Sequence, residues 1–321
     1  MSSVAAVVVT FNRKDLLLEC LDALLNQSRK INRVFLIDNA SSDGTQQLLK
    51  EKGYLDNLNI DYQLMPENLG GAGGFYQGVK SAYEAEYDWI WVMDDDAEPE
   101  PESLEKMQPY FLDEDTVATC PLITDSERVL DVPSHHRGWF TPFDGETVVR
   151  PITTSEIGNK LTVSIDHCSF VGLCFRASSI KAIGLPKSEF FIHYDDFEFC
   201  TRLVRVGKII LVTNSFIKHK EAAKIGLENT KKLFGRSSTR INYDKLWIRY
   251  FGYRNRTWMI WHNKIPSDFG SLLINHLRLI LGIVIYDDNK YKRIRFWNAA
   301  FIDGISGVFD NSKPRKLLKS K

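Results

Sequence analysis

Three adjacent carboxylates, Asp94-Asp95-Asp96, close the apolar run Trp89–Met93. Like charges this close repel one another, and folding alone gives no reason to gather them. A hard divalent cation removes the repulsion, and Mg²⁺ or Mn²⁺ favours carboxylate oxygens together with substrate phosphates. In extended backbone residues i and i+2 share a side, so Asp94 and Asp96 are the pair expected on one metal while Asp95 faces elsewhere. A plainer reading makes the triplet a solvated acidic turn that opens a helix at Pro99, where the helix dipole tolerates negative charge. A second acidic pair, Asp195-Asp196, heads a predicted helix in which Glu198 and Arg202 stand at i, i+4. The dipole keeps such a pair ionised, as a general base requires; the alternative is an N-cap at Asp195 followed by a solvated first-turn acid.

Asn68-Leu69-Gly70-Gly71-Ala72-Gly73-Gly74 opens another helix. Glycines let backbone approach a ligand closely and a helix N-terminus offers free N–H groups to an anion, although a tight turn would read the same way. The pattern is neither the dinucleotide fingerprint nor a Walker loop. His219 ends the strand Lys208–Thr213 and its extension Asn214–Lys218. It becomes a metal ligand only if that strand end reaches the acidic triplet. His135, His136, His167, His193, His262 and His276 show no ligand spacing beyond one adjacent pair.

These groups must be positioned by alternating elements. Val4–Phe11 reads as a buried strand, Arg13–Gln27 as a helix with leucines at helical spacing, and Arg33–Ile37 as a second strand ending in the polar cluster Asp38–Asp43. Ile60–Met65, a helix over Gly74–Glu86 and the strand Trp89–Met93 continue the alternation, which specifies βαβ units and a mostly parallel sheet. Ligands of such sheets sit at the carboxyl ends of the strands, so Thr10–Arg13, Asp38–Asp43 and Asp94–Asp96 are expected along one edge. Further on, Val117–Ile123, Phe170–Arg176 and Lys208–Thr213 read as strands and Pro133–Asp144 as a loop. Lys220–Arg240, with six basic and two acidic residues, reads as a mobile basic segment. An aromatic and basic stretch from Tyr243 and a basic, disordered tail from Lys313 follow.

The 321 residues balance 41 basic against 41 acidic side chains, so the global charge that a nucleic-acid binder would show is missing. Five cysteines without a CxxC pair fit a reducing, cytoplasmic setting better than a disulfide framework. The N-terminus reads as a strand rather than a signal peptide. Ser271–Tyr286, interrupted by His276 and Arg278, falls short of the roughly 20 residues that span a bilayer.

Taken together, these segments resemble an inverting GT-A glycosyltransferase of family 2, over nearly the whole chain. The resemblance is carried by Val7-Val8-Val9-Thr10-Phe11-Asn12-Arg13, by Leu36–Thr45, by the Asp94–Asp96 triplet and by Asp195-Asp196-Phe197-Glu198. Asn68–Phe75, Asp94–Pro99 and Tyr250-Phe251-Gly252-Tyr253-Arg254-Asn255-Arg256 are similar to galactofuranosyltransferases, with rhamnosyltransferases as neighbours. The resemblance implies a Rossmann-like α/β catalytic domain over 1–220 (nucleotide half 1–100, acceptor half 101–220), a mobile loop over 221–240 and a C-terminal helical region over 241–321.

It further implies that Thr10, Phe11 and Arg13 line the nucleotide pocket, with Asp38 reading uracil or ribose and Asn39 beside it. Asn68, Gly70 and Gly71 approach the sugar and diphosphate. Asp94, Asp96 and His219 hold Mn²⁺ or Mg²⁺, while Asp95 touches ribose or donor sugar. Asp196 matches the catalytic base and Asp195 its neighbour, in an Asp-Asp form of the family's more usual Glu-Asp. Trp139, His193 and Tyr194 are the acceptor-side candidates. The implied donor is UDP-galactofuranose and the acceptor a lipid-linked or growing cell-surface glycan. The aromatic and basic C-terminal region would touch the inner face of the membrane. Rhamnosyl transfer from a dTDP donor is the alternative within the class; a sugar nucleotidyltransferase and a non-catalytic carbohydrate-binding protein are the alternatives outside it.

Overall fold

The computed structural model describes residues 2–319 apart from 126, 145, 221–229, 234–235, 240, 263 and 267. Its contacts divide it into two units. The first comprises Met1–Phe140, Val149–Ser188 and Asp195–Ala222. Strand β1 (Val4–Thr10) is buried along its entire length, as a strand covered on both faces must be. Helix α1 (Lys14–Leu25) turns Leu17, Cys20, Leu21 and Leu24 onto the sheet at helical spacing. Strand β2 (Arg33–Asp38), α2 (Thr45–Glu51), β3 (Ile60–Leu64), α3 (Gly70–Glu84) and β4 (Trp89–Asp94) follow. The strands lie parallel in the order β3-β2-β1-β4. Register pairs Thr10 with Asp38 and Val9 with Asp94, so three strand ends finish level.

Helix α3 begins at Gly70, four residues earlier than expected, so the glycine-rich stretch is the first turn of the helix rather than a loop before it. The cause is packing. A Cβ on Gly74 would lie 2.4 Å from a Val9 methyl, and one on Gly78 would lie 2.3 Å from a Val7 methyl. The acidic triplet likewise departs from the extended geometry read from the sequence. Asp95 and Asp96 form a tight turn between β4 and β5 (Ala97–Pro99), and no helix opens at Pro99; α4 (Ser103–Met107) starts later.

Beyond β4 the sheet is mixed. The next elements along the chain are β6 (Thr116–Thr124), β7 (Arg137–Phe143), β8 (Glu146–Pro151), α5 (Thr154–Ile157), β9 (Thr162–Ile165), β10 (His167–Cys168), β11 (Leu173–Arg176), α6 (Ile180–Ile183), α7 (Asp195–Leu203) and β12 (Lys208–His219), with Thr141–Val148 of β7 and β8 assigned to the second unit. Strand β11 lies antiparallel between β4 and β6, and β12 runs parallel to β6 and antiparallel to β5 and β9. The stretch 133–144, expected as a loop, contains β7, which pairs with β10 through Gly138 and Arg137. All five cysteines are free and buried.

The second unit comprises Thr141–Val148, Glu189–Tyr194 and Ala223–Lys321. Much of the expected mobile segment, 221–240, lies outside the described residues. Within it β13 (Thr230–Leu233) and β14 (Arg236–Thr239) pair as an antiparallel hairpin. Helices α8 (Trp247–Trp261), α9 (Phe269–Tyr286), α10 (Lys290–Ser306) and α11 (Lys313–Lys319) follow, so the tail read as disordered is helical as far as Lys319. The aromatic stretch that suggested a membrane contact is instead the core of this unit: Tyr250, Phe251, Arg254 and Asn255 are fully buried. Helices α8 and α10 meet at Gly304, where a Cβ would come within 2.6 Å of the Arg254 carbonyl.

Helix α9 takes up the apolar segment and lengthens it by two residues, to 18, still short of the roughly 20 that span a bilayer. It starts at Phe269, capped by the Asp268 carboxylate on the Gly270 and Ser271 N–H groups. Its 18 residues have a mean hydropathy of 1.7 and only 17% of them are buried. His276 turns inward between the Tyr253 hydroxyl and Asn298, and Arg278 pairs with Asp144.

Candidate active site

The level ends of β1, β2 and β4 bring the first set of residues together. Thr10 donates to the Asp95 carboxylate at 2.7 Å. Arg13, just before α1, reaches Asp95 at 3.3 Å and Asp96 at 2.9 Å. Strand β12 then supplies His219. Its register on β5 sets His219 opposite Ala97, the Lys220 N–H donates to the Asp96 carbonyl, and His219 Nε2 stands 3.3 Å from Asp96 Oδ1. The strand end therefore reaches the triplet, the condition its role as a ligand required. His136, one of the histidines whose spacing suggested no ligand, lies edge-on to the His219 ring at 5.2 Å and is fixed by Ser169 at 2.8 Å.

Three acids crowded into a poorly hydrated turn do not all ionise freely. Loss of water, then Asp96 and Asp95, push Asp94 well above the usual carboxylate range. Burial raises Asp95 to about 6, opposed by the Arg13 guanidinium and the Thr10 hydroxyl. Burial works against the charge on Arg13, but Asp95, Asp96 and Asp94 outweigh it and its pKa rises. Asp195, at the head of α7, is raised to about 7, by burial first and then by Asp196. Its charge also bears on Asp94, so the two acidic sets belong to one electrostatic neighbourhood. Asp196 is more open than Asp195 and accepts the Phe197 N–H at 2.6 Å.

Among the described residues no three His, Cys, Asp or Glu side chains form a ready-made metal cage. The donor chemistry still fits a hard cation: carboxylates of Asp94 and Asp96 beside the His219 imidazole, with Arg13 supplying the positive charge between Asp95 and Asp96.

Other expected residues hold the frame. Both oxygens of buried Asp38 accept, from the Ser41 N–H and the Tyr62 hydroxyl, each at 2.8 Å. The Asn39 amide ties β2 to the start of α3, accepting from Leu69 N–H and donating to the Gly70 carbonyl. Asn68 accepts the Gly70 N–H, and Gly70 takes φ +74°, which favours glycine. A Cβ on Gly71 would meet nothing within 4 Å, and Phe11 is exposed at the end of β1. Trp139 donates its indole N–H to the Ser164 carbonyl and carries Arg150 over its ring at 4.3 Å. Its polar edge and one face are thereby engaged within the protein. His193 and Tyr194 belong to the second unit, on a left-handed segment.

Comparison with known proteins matches residues 5–184 to a family model described as Glycosyl transferase family 2. The galactofuranosyltransferase GlfT1 of Mycolicibacterium smegmatis is 30% identical over 263 residues, 80% of this chain and 82% of that protein. The dTDP-rhamnosyl transferase RfbF of Shigella flexneri is 23% identical over 96% of this chain and 97% of its own. Among solved structures, GalNAc-T7 with UDP, GalNAc and Mn²⁺ aligns with a TM-score of 0.57 at 13% identity, covering 99% of this chain and 59% of that one. S. aureus TarS 1–349 with UDP aligns at 0.55 and 15% identity, covering 98% and 86%. At these identities the structures speak for the fold alone.

Proposed function

This chain belongs to glycosyl transferase family 2 and has the GT-A fold, and from that premise we propose that it transfers galactofuranose from UDP-galactofuranose, with inversion, to a lipid-linked or growing cell-surface glycan. The kinship with galactofuranosyltransferases over four-fifths of the chain supports the donor. The observation that carries the chemistry is the convergence of Thr10, Arg13 and His219 on the Asp94–Asp96 turn at the carboxyl ends of the strands.

A sugar hydroxyl is a weak nucleophile, so a carboxylate within about 3 Å must take its proton as the new bond forms. Asp196, the more open of the pair, has that role, and Asp195 contacts donor or acceptor hydroxyls. Asp94, Asp96 and His219 would hold Mn²⁺ or Mg²⁺, which when bound neutralises the charge growing on the leaving diphosphate. Thr10 and Arg13 keep Asp95 oriented beside the donor, and Gly71 leaves room for it. His193 and Tyr194 serve the acceptor. One in-line displacement needs no covalent intermediate. The enzyme works at the cytoplasmic face of the membrane, with the exposed apolar side of α9 as its peripheral contact.

Product analysis with UDP-galactofuranose, UDP-galactopyranose and dTDP-rhamnose, each with Mn²⁺, tests the donor. Glycoside plus UDP from the first alone is the expected outcome. Turnover of dTDP-rhamnose instead would establish the second reading, which the end-to-end likeness to RfbF favours. Asp196→Asn should lower kcat about 10³-fold with nucleotide affinity unchanged.

A further inference from the structure

The backbone immediately ahead of the acid pair is strained. Phe191, His193 and Tyr194 have φ of 65°, 67° and 68°, a region that non-glycine residues enter only where their surroundings force it. Two adjacent residues of α8 supply that force. The Asn255 side-chain amide donates to the carbonyls of Phe190, Ile192 and His193 at 3.0, 3.2 and 2.9 Å. Arg254 donates through Nη2 to the carbonyls of Glu189 and Phe190 at 3.2 and 3.1 Å, and through Nη1 to Asn311 at 3.0 Å. Its Nε meets Asn255 Oδ1 at 3.0 Å, so the guanidinium aims the amide that grips the chain. Both side chains are fully buried. Aromatic contacts complete the seat: Phe191 stacks on Phe251 with centroids 4.6 Å apart, and Phe190 meets Trp258 edge-on at 5.6 Å.

Four consecutive-to-near carbonyls held by one arginine and one asparagine leave this segment little freedom, and Tyr194 is bonded directly to Asp195, the first residue of α7. We propose that Arg254 and Asn255 are positioning residues for the transfer: by gripping the carbonyls of 189, 190, 192 and 193 they hold His193 and Tyr194 for the acceptor. The inference rests on the reading of His193 and Tyr194 as acceptor-side residues. A brace with a merely structural part would need no run of left-handed residues. Positioning explains why the strain falls at the residues leading into α7.

The test uses the full chain with Asn255→Ala and the milder Arg254→Lys. Hydrogen exchange, calorimetric affinity for the nucleotide the parent binds (UDP or dTDP, with Mn²⁺), and kcat with the donor the parent turns over are measured on each. Asn255→Ala should lower kcat about 10²-fold and Arg254→Lys about 10-fold. Nucleotide affinity should stay within twofold, and exchange should quicken in peptides spanning 188–199 while the rest of the chain keeps its protection. A kcat within twofold of the parent in both variants, or a loss of protection throughout the chain in both, overturns the proposal. Where Asn255→Ala fails to fold, Arg254→Lys decides. Asp196→Asn, run in parallel, separates the two ideas: if it keeps full activity the acid assignment falls, while kcat and exchange in the Asn255 and Arg254 variants still decide the grip.

Discussion

Arg13 sits 2.9 Å from Asp96 and 3.3 Å from Asp95, and it is the cation these buried acids face from α1's leading edge. Removing it takes the guanidinium charge from two desolvated carboxylates, although its own partial exposure softens the loss. Arg13→Ala should destabilise the fold by about 1–2 kcal/mol in a urea melt. Added Mn²⁺ should then raise Tm further in the variant than in the parent, because the ion takes over the neutralising charge; equal shifts would refute the competition. A neighbouring residue makes a pH signature. Burial and Asp196 hold Asp195 at about 7, whereas an unfolded aspartate titrates near about 3.9. Between those values the folded chain keeps a proton that the unfolded chain has lost, so stability falls as pH rises through the window. Asp195→Asn has no such proton, and its advantage over the parent should grow from pH 4 to pH 8 by at least about 1 kcal/mol. Denaturant melts at both pH values read this directly.

At the level of elements, the glycines of α3 divide into two kinds. Gly74 and Gly78 face Val9 and Val7 of β1 at distances no Cβ tolerates, while Gly71 faces open space. Gly78→Ala should lose about 1–3 kcal/mol by overpacking. Gly71→Ala should be neutral or gain about 0.5–1 kcal/mol from helix propensity, and urea midpoints separate the two. This division shows how far the sequence could be read. Alternating apolar runs located β1 to β4 and, with them, the level ends that gather Thr10, Asp38 and Asp94. The glycines could not be assigned, because what they approach is a neighbouring strand and not a chain neighbour. His219 was legible as a strand end, but its place beside Asp96 depends on the antiparallel register of β12 on β5, a strand of three residues with no periodicity to announce it. The grip of Asn255 on the carbonyls of 190, 192 and 193 spans about sixty positions and leaves no local pattern at all.

For the molecule as a whole, α9 is packed through Leu272, His276 and Ile283 but keeps an apolar face exposed. Leu273, Ile274, Leu277, Leu281, Val284 and Ile285 are all exposed on it, an apolar face of the kind that enters the headgroup boundary of a bilayer. Liposomes containing anionic lipid should sediment the parent, and Leu277→Gln with Leu281→Gln should abolish sedimentation without lowering Tm, since neither side chain is buried. Retention of the double variant on liposomes would exclude this surface.

The five thiols, all free and all interior, have a practical corollary. A thiol-directed dye meets no cysteine on the native surface, so its uptake clocks the opening of the elements that bury them. Labelling that proceeds in stages would reveal which of α1, β6, β10, β11 and α7 opens first, without any engineered reporter.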